Sequence, residues 1–186
     1  MDTDPIAQFL LWQKEADAYD RTAAVLATCT RDNIPYARTI LVKDVTADGF
    51  TFYTNMNSTK GKNLFDNPRA AIVFYWNERQ VIGRGNVFLV DEKEADTSFA
   101  FRPRSSRAVT TISKQSQELT DETLFLNAVK KLENSSDPIG RPKHWVGFRL
   151  KPYAMEFFLA GKHRLNKRYL YLLQSDGKWK ISRLYP

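Results

Sequence analysis

The chain is poor in the residues that many common chemistries need. A single cysteine, Cys29, excludes an internal disulfide and a cysteine-based metal site. The two histidines, His144 and His163, have no ligand partner at helical spacing, so no metal is expected. There is no serine-hydrolase elbow and no Walker phosphate loop. No apolar run approaches the roughly 20 residues a membrane span requires. No basic-then-apolar leader opens the sequence, and a cytoplasmic location is the resulting expectation. Gly83 and Gly85 sit among strand residues, which fits a bulge or a close backbone approach better than a dinucleotide-binding turn.

What is present is a globular composition, 42% hydrophobic over 186 residues, enough for a sizeable core in one domain spanning 1–186. The net charge of +7 admits nucleic acid, an anionic membrane surface or small phosphorylated ligands as partners. The cations are spread through the chain, at strand ends and loops beside hydroxyls and amides. That favours discrete phosphate pockets over a nucleic-acid stripe, whose binding would fall steeply with salt.

Periodicity and capping signals give the elements. Asp4–Tyr19 reads as an amphipathic helix with Asp4 as N-cap, Pro5 in the first turn, and Ile6, Phe9, Leu10 and Trp12 on its apolar side. Strands are expected at Ala23–Thr30, with Cys29 buried, and at Tyr36–Lys43, Phe50–Thr54, Arg69–Trp76 and Arg79–Val90. Thr59–Asp66 reads as a short helix stopped before Asn67-Pro68. Asp91-Glu92-Lys93-Glu94 resembles a capping box opening a helix to about Phe101. Arg102–Gln117 is polar and without strong periodicity. Asp121–Glu133 is a further amphipathic helix, and late strands follow at Trp145–Lys151, Ala154–Phe158, Arg168–Gln174 and Lys178–Arg183. Many strands with interposed helices argue a mainly β, α+β domain: a closed or nearly closed antiparallel barrel, with a two-layer sandwich as the alternative.

The densest chemical signal is Arg38-Thr39-Ile40-Leu41-Val42-Lys43, followed by Tyr53-Thr54-Asn55 and Ser58-Thr59-Lys60. Alternation puts Arg38, Ile40 and Val42 on one strand face and Thr39, Leu41 and Lys43 on the other. Charges at both ends of a β-branched run aim cations from a rigid element, and the start of the next helix adds donors for an anion. A second cluster, Arg102-Pro103-Arg104-Ser105-Ser106-Arg107, offers three guanidiniums and two hydroxyls, as a solvated loop or as a second phosphate site. Ser113-Lys114-Gln115-Ser116 and Gly161-Lys162-His163-Arg164-Leu165-Asn166-Lys167-Arg168 add donors downstream. Two anion clusters suggest two phosphorylated ligands, one of them a cofactor that carries the chemistry.

These residues resemble the pyridoxine/pyridoxamine 5′-phosphate oxidase family, which also includes phenazine-biosynthesis oxidases. The similarity runs in order along nearly the whole chain, through Asn67-Pro68-Arg69, Glu78-Arg79-Gln80-Val81, Arg102-Pro103-Arg104 and Glu156-Phe157. The resemblance implies an FMN-binding split β-barrel, with an N-terminal helix in 1–20, C-terminal dimerisation and substrate-side strands in 135–186, and FMN at a homodimer interface. It implies cofactor contacts from Arg38, Thr39, Ile40, Leu41, Val42, Lys43, Tyr53, Thr54, Thr59, Lys60, Gln80, Gln115, Ser116, Phe158 and Arg168, with Gln115 and Ser116 coming from the second subunit. Substrate contacts are implied for Lys43, Ser98, Arg102, Ser106, Arg164 and Asn166, the last two in the catalytic positions. Some of these positions differ from the family's usual residues: Thr59 stands for Arg, Ser98 for Tyr, Phe158-Leu159 for Trp-Gln, Asn166 for His, Lys167 for Asp, and Val146 interrupts Trp-Gly-Gly. The cofactor side is mostly kept and the substrate side is changed.

The expected activity is oxidation of pyridoxamine or pyridoxine 5′-phosphate to pyridoxal 5′-phosphate, with O2 as acceptor and H2O2 as product. An FMN oxidase of another aromatic substrate, of the phenazine-precursor type, is the alternative that Ser98, Phe158 and Asn166 favour. A non-catalytic binder of FMN or pyridoxal phosphate is a third reading. A nucleic-acid binder comes last.

Overall fold

The computed structural model describes residues 1–186. Helix α1 (Pro5–Glu15) is capped as its sequence predicts, with the Asp4 carboxylate accepting from the Ile6 N–H. It ends before Ala16, short of Tyr19, and Leu10 lies on its exposed side rather than in the core. Phe9 and Trp12 point inward instead. Phe9 meets Phe50 and Phe74 edge-on, with centroids 5.0 and 4.7 Å away, and Trp12 meets Phe157 at 5.2 Å. Such aromatic pairs add to plain area burial, so α1 is held by these two side chains.

Eight antiparallel strands follow: β1 (Ala23–Cys29), β2 (Pro35–Thr46), β3 (Gly49–Asn55), β4 (Arg69–Trp76), β5 (Arg79–Leu89), β6 (Trp145–Leu159), β7 (Lys167–Leu173) and β8 (Trp179–Leu184). Their order is β3-β2-β1-β4-β5-β6-β7-β8, and β3 also pairs with β6. Six strands therefore close into a barrel, and β7–β8 continue from β6 as a flap. Alternate residues fill the barrel. Leu26, Ile72, Phe74, Val81 and Phe157 are fully buried, and with α1 they form the main core. Cys29 is only half-buried, because it is the last residue of its strand.

Two late strands of the sequence reading are one. Strand β6 runs unbroken through Lys151-Pro152-Tyr153. Gly85 pairs with Pro152 and Arg84 with Ala154, so Tyr153 is the extra residue of a bulge that absorbs the proline. Gly85 is required there: a Cβ would fall 2.2 Å from the Lys151 carbonyl oxygen.

The helices α2 (Thr59–Asp66), α3 (Glu92–Ala100), α4 (Arg104–Ile112) and α5 (Glu122–Asn134) decorate the outside. A second small core of Ala95, Phe99, Ala108, Val129, Ile139 and Trp145 packs α3, α4 and α5 against the barrel, with Tyr53 beside it. Helix α4 corrects the sequence reading, which assigned no element to Arg102–Gln117. Its threonines bond back within the helix, Thr110 Oγ1 to the Ser106 carbonyl and Thr111 Oγ1 to the Arg107 carbonyl. That satisfies hydroxyls which otherwise favour other conformations. The Asp91 cap forms, with its carboxylate accepting from the Lys93 N–H, but Glu94 does not close a box and binds Arg149 instead.

Candidate functional site

Strand β2 carries the site because its two faces do different work. Val42 is buried in the barrel and Ile40 is half-buried, whereas Thr39, Leu41 and Lys43 face outward. Over that outer face lies a cavity of about 650 Å3. Its wall comes from β2 (Thr39, Ile40, Leu41, Lys43), β3 (Tyr53, Thr54), α2 (Lys60) and the α3–α4 corner (Ser98, Arg102, Ser106), with Gln115 beyond it. No carboxylate lines it. None of Arg38, Lys43, Lys60 and Arg102 belongs to an ion pair.

Two cations sit close together at one end. Burial pushes the Lys60 ammonium below its ordinary value, and the neighbouring positive charge of Arg38 lowers it further. Burial also lowers Arg38. Arg38 lies behind the cavity wall and donates to the Leu26 carbonyl at 3.1 Å and to Thr28 Oγ1 at 2.8 Å. A desolvated pair of like charges without a counterion is an arrangement that an anion relieves. Ser58 caps α2, and its hydroxyl accepts from the Gly61 N–H. Thr59 does not line the cavity; its N–H donates to Ser116 Oγ at 3.3 Å.

At the other end, Arg102 lies over the Trp145 ring, 5.4 Å from its centroid, and donates to Thr110 Oγ1. Its Nε is buried without a partner, and burial lowers its pKa. Arg107 Nε is buried without a partner as well, but of the two only Arg102 lines the cavity. Tyr53 stacks on Trp145 with centroids 4.8 Å apart, and burial raises its phenol. Arg149 fixes this wall by donating to Glu94 Oε1 at 2.7 Å and to Thr51 Oγ1 at 2.9 Å.

The three-arginine cluster divides by role. Arg104 donates to the Glu133, Leu132, Ser135 and Asp137 carbonyls, closing the C-terminus of α5. Arg107 donates to the Ile139 carbonyl. Of the cluster's guanidiniums and hydroxyls, only those of Arg102 and Ser106 belong to residues that line the cavity. Within its own chain Gln115 reaches this cavity, with Thr54 Oγ1 donating to Gln115 Oε1 at 3.4 Å, while Ser116 Oγ accepts from the Thr59 N–H at the start of α2. Pro103 of the cluster lines the cavity as well, and so does Phe101, which the sequence reading did not single out for the site. The available signal was the apolar residue abutting Arg102.

The remaining expected residues lie elsewhere. Gln80, Phe158 and Arg168 are register partners across β5, β6 and β7 and share an outward face. Arg168 is tied to Glu156 at 2.8 Å, which raises its pKa. Arg164 and Asn166 occupy the turn between β6 and β7, where Arg164 is exposed and Asn166 Oδ1 accepts from the Gly161 N–H. None of these five lines the cavity. The expected residues thus fall into two separate groups on one curved sheet face, with the outward residues Val25, Val73 and Ile82 in a row between them.

No helix is long and apolar enough to cross a membrane. Residues 12–136 match the family described as pyridoxamine 5′-phosphate oxidase, and residues 145–186 match the pyridoxine 5′-phosphate oxidase C-terminal dimerisation region. The chain is 39% identical to the pyridoxine/pyridoxamine 5′-phosphate oxidase of Wolbachia pipientis, covering 100% of this chain and 89% of that one. It is 40% identical to the oxidase of the same name from Ehrlichia chaffeensis, covering 98% of each. Among solved structures, PhzG from Burkholderia lata, in complex with tetrahydrophenazine-1-carboxylic acid, superposes with a TM-score of 0.96 at 29% identity, covering 100% of this chain and 94% of that one. A pyridoxamine 5′-phosphate oxidase-related, FMN-binding protein from Nostoc punctiforme shares the fold at a TM-score of 0.79 and 18% identity, covering 98% and 96%. With both segments matched and full-length relatives near 40% identity, the chain belongs to the pyridoxamine 5′-phosphate oxidase family.

Proposed function

We propose that the chain is an FMN-dependent oxidase that converts pyridoxamine or pyridoxine 5′-phosphate to pyridoxal 5′-phosphate. The observation that carries this is the pair of cation groups without a counterion, Lys60 with Arg38 and Lys43 with Arg102, at one carboxylate-free cavity. The donors fit FMN. Arg38, Lys60 and Ser116 suit the cofactor phosphate, and the β2 backbone from Thr39 to Lys43 with Thr54 and Gln115 suits the ring edge. Lys43, Arg102, Ser106 and Ser98 suit the substrate phosphate, where guanidinium forks match phosphate oxygens.

The other half-site comes from a partner. A two-fold axis over the outer face of β1 and β4 sets one chain's cavity against the other chain's Gln80, Phe158 and Arg168. The C-terminal dimerisation segment holds Phe158, Arg164 and Arg168, which accords with this arrangement. FMN held by these residues would accept a hydride from the substrate C4′ as the amine N–H or alcohol O–H loses a proton, and O2 would take the electron pair and two protons to give H2O2; for pyridoxamine phosphate, water would then hydrolyse the imine and release ammonia. The chain's residues hold both phosphates, and Arg164 covers the pyridine ring.

A larger aromatic substrate is the second reading. Ser98, with Lys43, Tyr53 and Phe101, lines both the main cavity and an adjoining one of about 550 Å3, so a short side chain stands where a tyrosine would divide them.

The test is FMN-loaded protein in air with pyridoxamine 5′-phosphate. Pyridoxal phosphate and peroxide are expected in equal amounts, and both are lost in Arg164→Ala. Tight flavin binding with neither product would overturn the pyridoxamine phosphate reading in favour of the second.

A further inference from the structure

The turn between β6 and β7 is wound tightly for a segment without an internal glycine. His163 and Arg164 are both left-handed, with φ of 55° and 62°. Side chains with a Cβ disfavour that region, and two such residues in succession need the surroundings to impose it. Three bonds do so here. The Leu165 N–H donates to the Lys162 carbonyl and the Asn166 N–H to the Arg164 carbonyl, at 3.1 and 2.8 Å. Across the base of the turn, the Gly161 N–H donates to Asn166 Oδ1 at 3.1 Å. Gly161 permits the closure, since a Cβ would sit 2.3 Å from the Leu165 carbonyl oxygen. The first two bonds lie inside the turn, so the Asn166 carboxamide is the side chain that ties its two ends.

We infer that Asn166 is a positioning residue and not a catalytic one: by stapling Gly161 it holds the left-handed turn that aims Arg164 at the partner's cavity. This rests on the proposed oxidase and its two-chain site. Only the oxygen of the carboxamide is used; its NH2 group has no protein partner. Aspartate can therefore replace it as an acceptor, and alanine cannot.

The experiment compares FMN-loaded wild type, Asn166→Ala and Asn166→Asp by amide hydrogen exchange and by titration with pyridoxal 5′-phosphate. In Asn166→Ala the Gly161 amide is expected to exchange about tenfold faster, and pyridoxal phosphate to bind about tenfold more weakly, for one lost hydrogen bond. KM rises with that change, while kcat keeps its pH profile. Asn166→Asp restores exchange and affinity to within about twofold of wild type. An Asn166→Ala protein that exchanges and binds like wild type would overturn the inference. So would an Asn166→Asp protein as impaired as alanine, because the NH2 group would then act directly on the ligand. If wild type neither binds nor forms pyridoxal phosphate, the oxidase reading fails, and the exchange contrast among the three proteins still decides the staple.

Discussion

Lys60→Met is expected to weaken FMN binding by roughly 30- to 150-fold, the cost of about 2–3 kcal/mol for a charge-assisted bond to phosphate. Riboflavin, which lacks the phosphate, should bind the variant and the wild type alike. The same substitution should stabilise the FMN-free protein. Lys60 is half-buried, unpaired and beside Arg38, so its pKa in the folded chain lies below the ordinary lysine value of 10.5. The unfolded chain then holds the proton more tightly, and the charged form costs the fold stability at every pH below the folded pKa. That cost fades as pH rises from the folded pKa toward 10.5. The melting temperature of apo Lys60→Met should therefore exceed that of wild type at neutral pH, and the gap should narrow in alkali. A variant that loses riboflavin as readily as FMN would place Lys60 away from the phosphate.

Val25→Asp should abolish the dimer and flavin retention together. Val25 is 42% exposed on the outer face of β1, in register with Val73 and, through it, with Ile82. An aspartate there costs the isolated barrel little, because the residues that hold the barrel point inward. At a two-fold interface the carboxylate is buried twice, at about 3–5 kcal/mol for each unpaired charge. That is enough to turn a tight dimer into a monomer at micromolar concentration. Light scattering should show a folded monomer, and desalting should strip the FMN, since Gln80, Phe158 and Arg168 leave with the partner. A flavin-loaded dimer would move the interface elsewhere.

The elements were legible where a local signal sufficed. Asp4 and Asp91 mark helix starts, and apolar, β-branched and aromatic runs between turn residues mark strands β1 to β5. Helix α4 was hidden because Pro103 caps it without a side-chain bond and its last turns are β-branched; packing of Ala108 beside α5, and not propensity, makes it a helix. Pro152 read as a break because a bulge is a property of two strands, and only Gly85 on the neighbour makes it possible. In the site, Lys43 and Lys60 stood out by residue type and position, whereas Arg102 and Ser106 were separated from the rest of their cluster only by the family resemblance. Arg104 and Arg107 carry the same side chain as Arg102 and differ only in what lies within reach, the end of α5 and the Ile139 carbonyl, which no local pattern records. Asn166 was placed by its position in a motif, whereas its partner Gly161 shows what its side chain touches.

The central claim is that each site is assembled from two chains. Arg102→Ala disables the cavity half, and Arg164→Ala disables the turn that reaches the partner. Each homodimer should be inactive with pyridoxamine 5′-phosphate. When the two variants are co-expressed with different tags, the mixed dimer holds one doubly damaged site and one intact site. Statistical assortment then restores about a quarter of wild-type turnover. Recovery near that level is the predicted result; a mixed dimer as inactive as its parents would show that both residues serve the same chain's site.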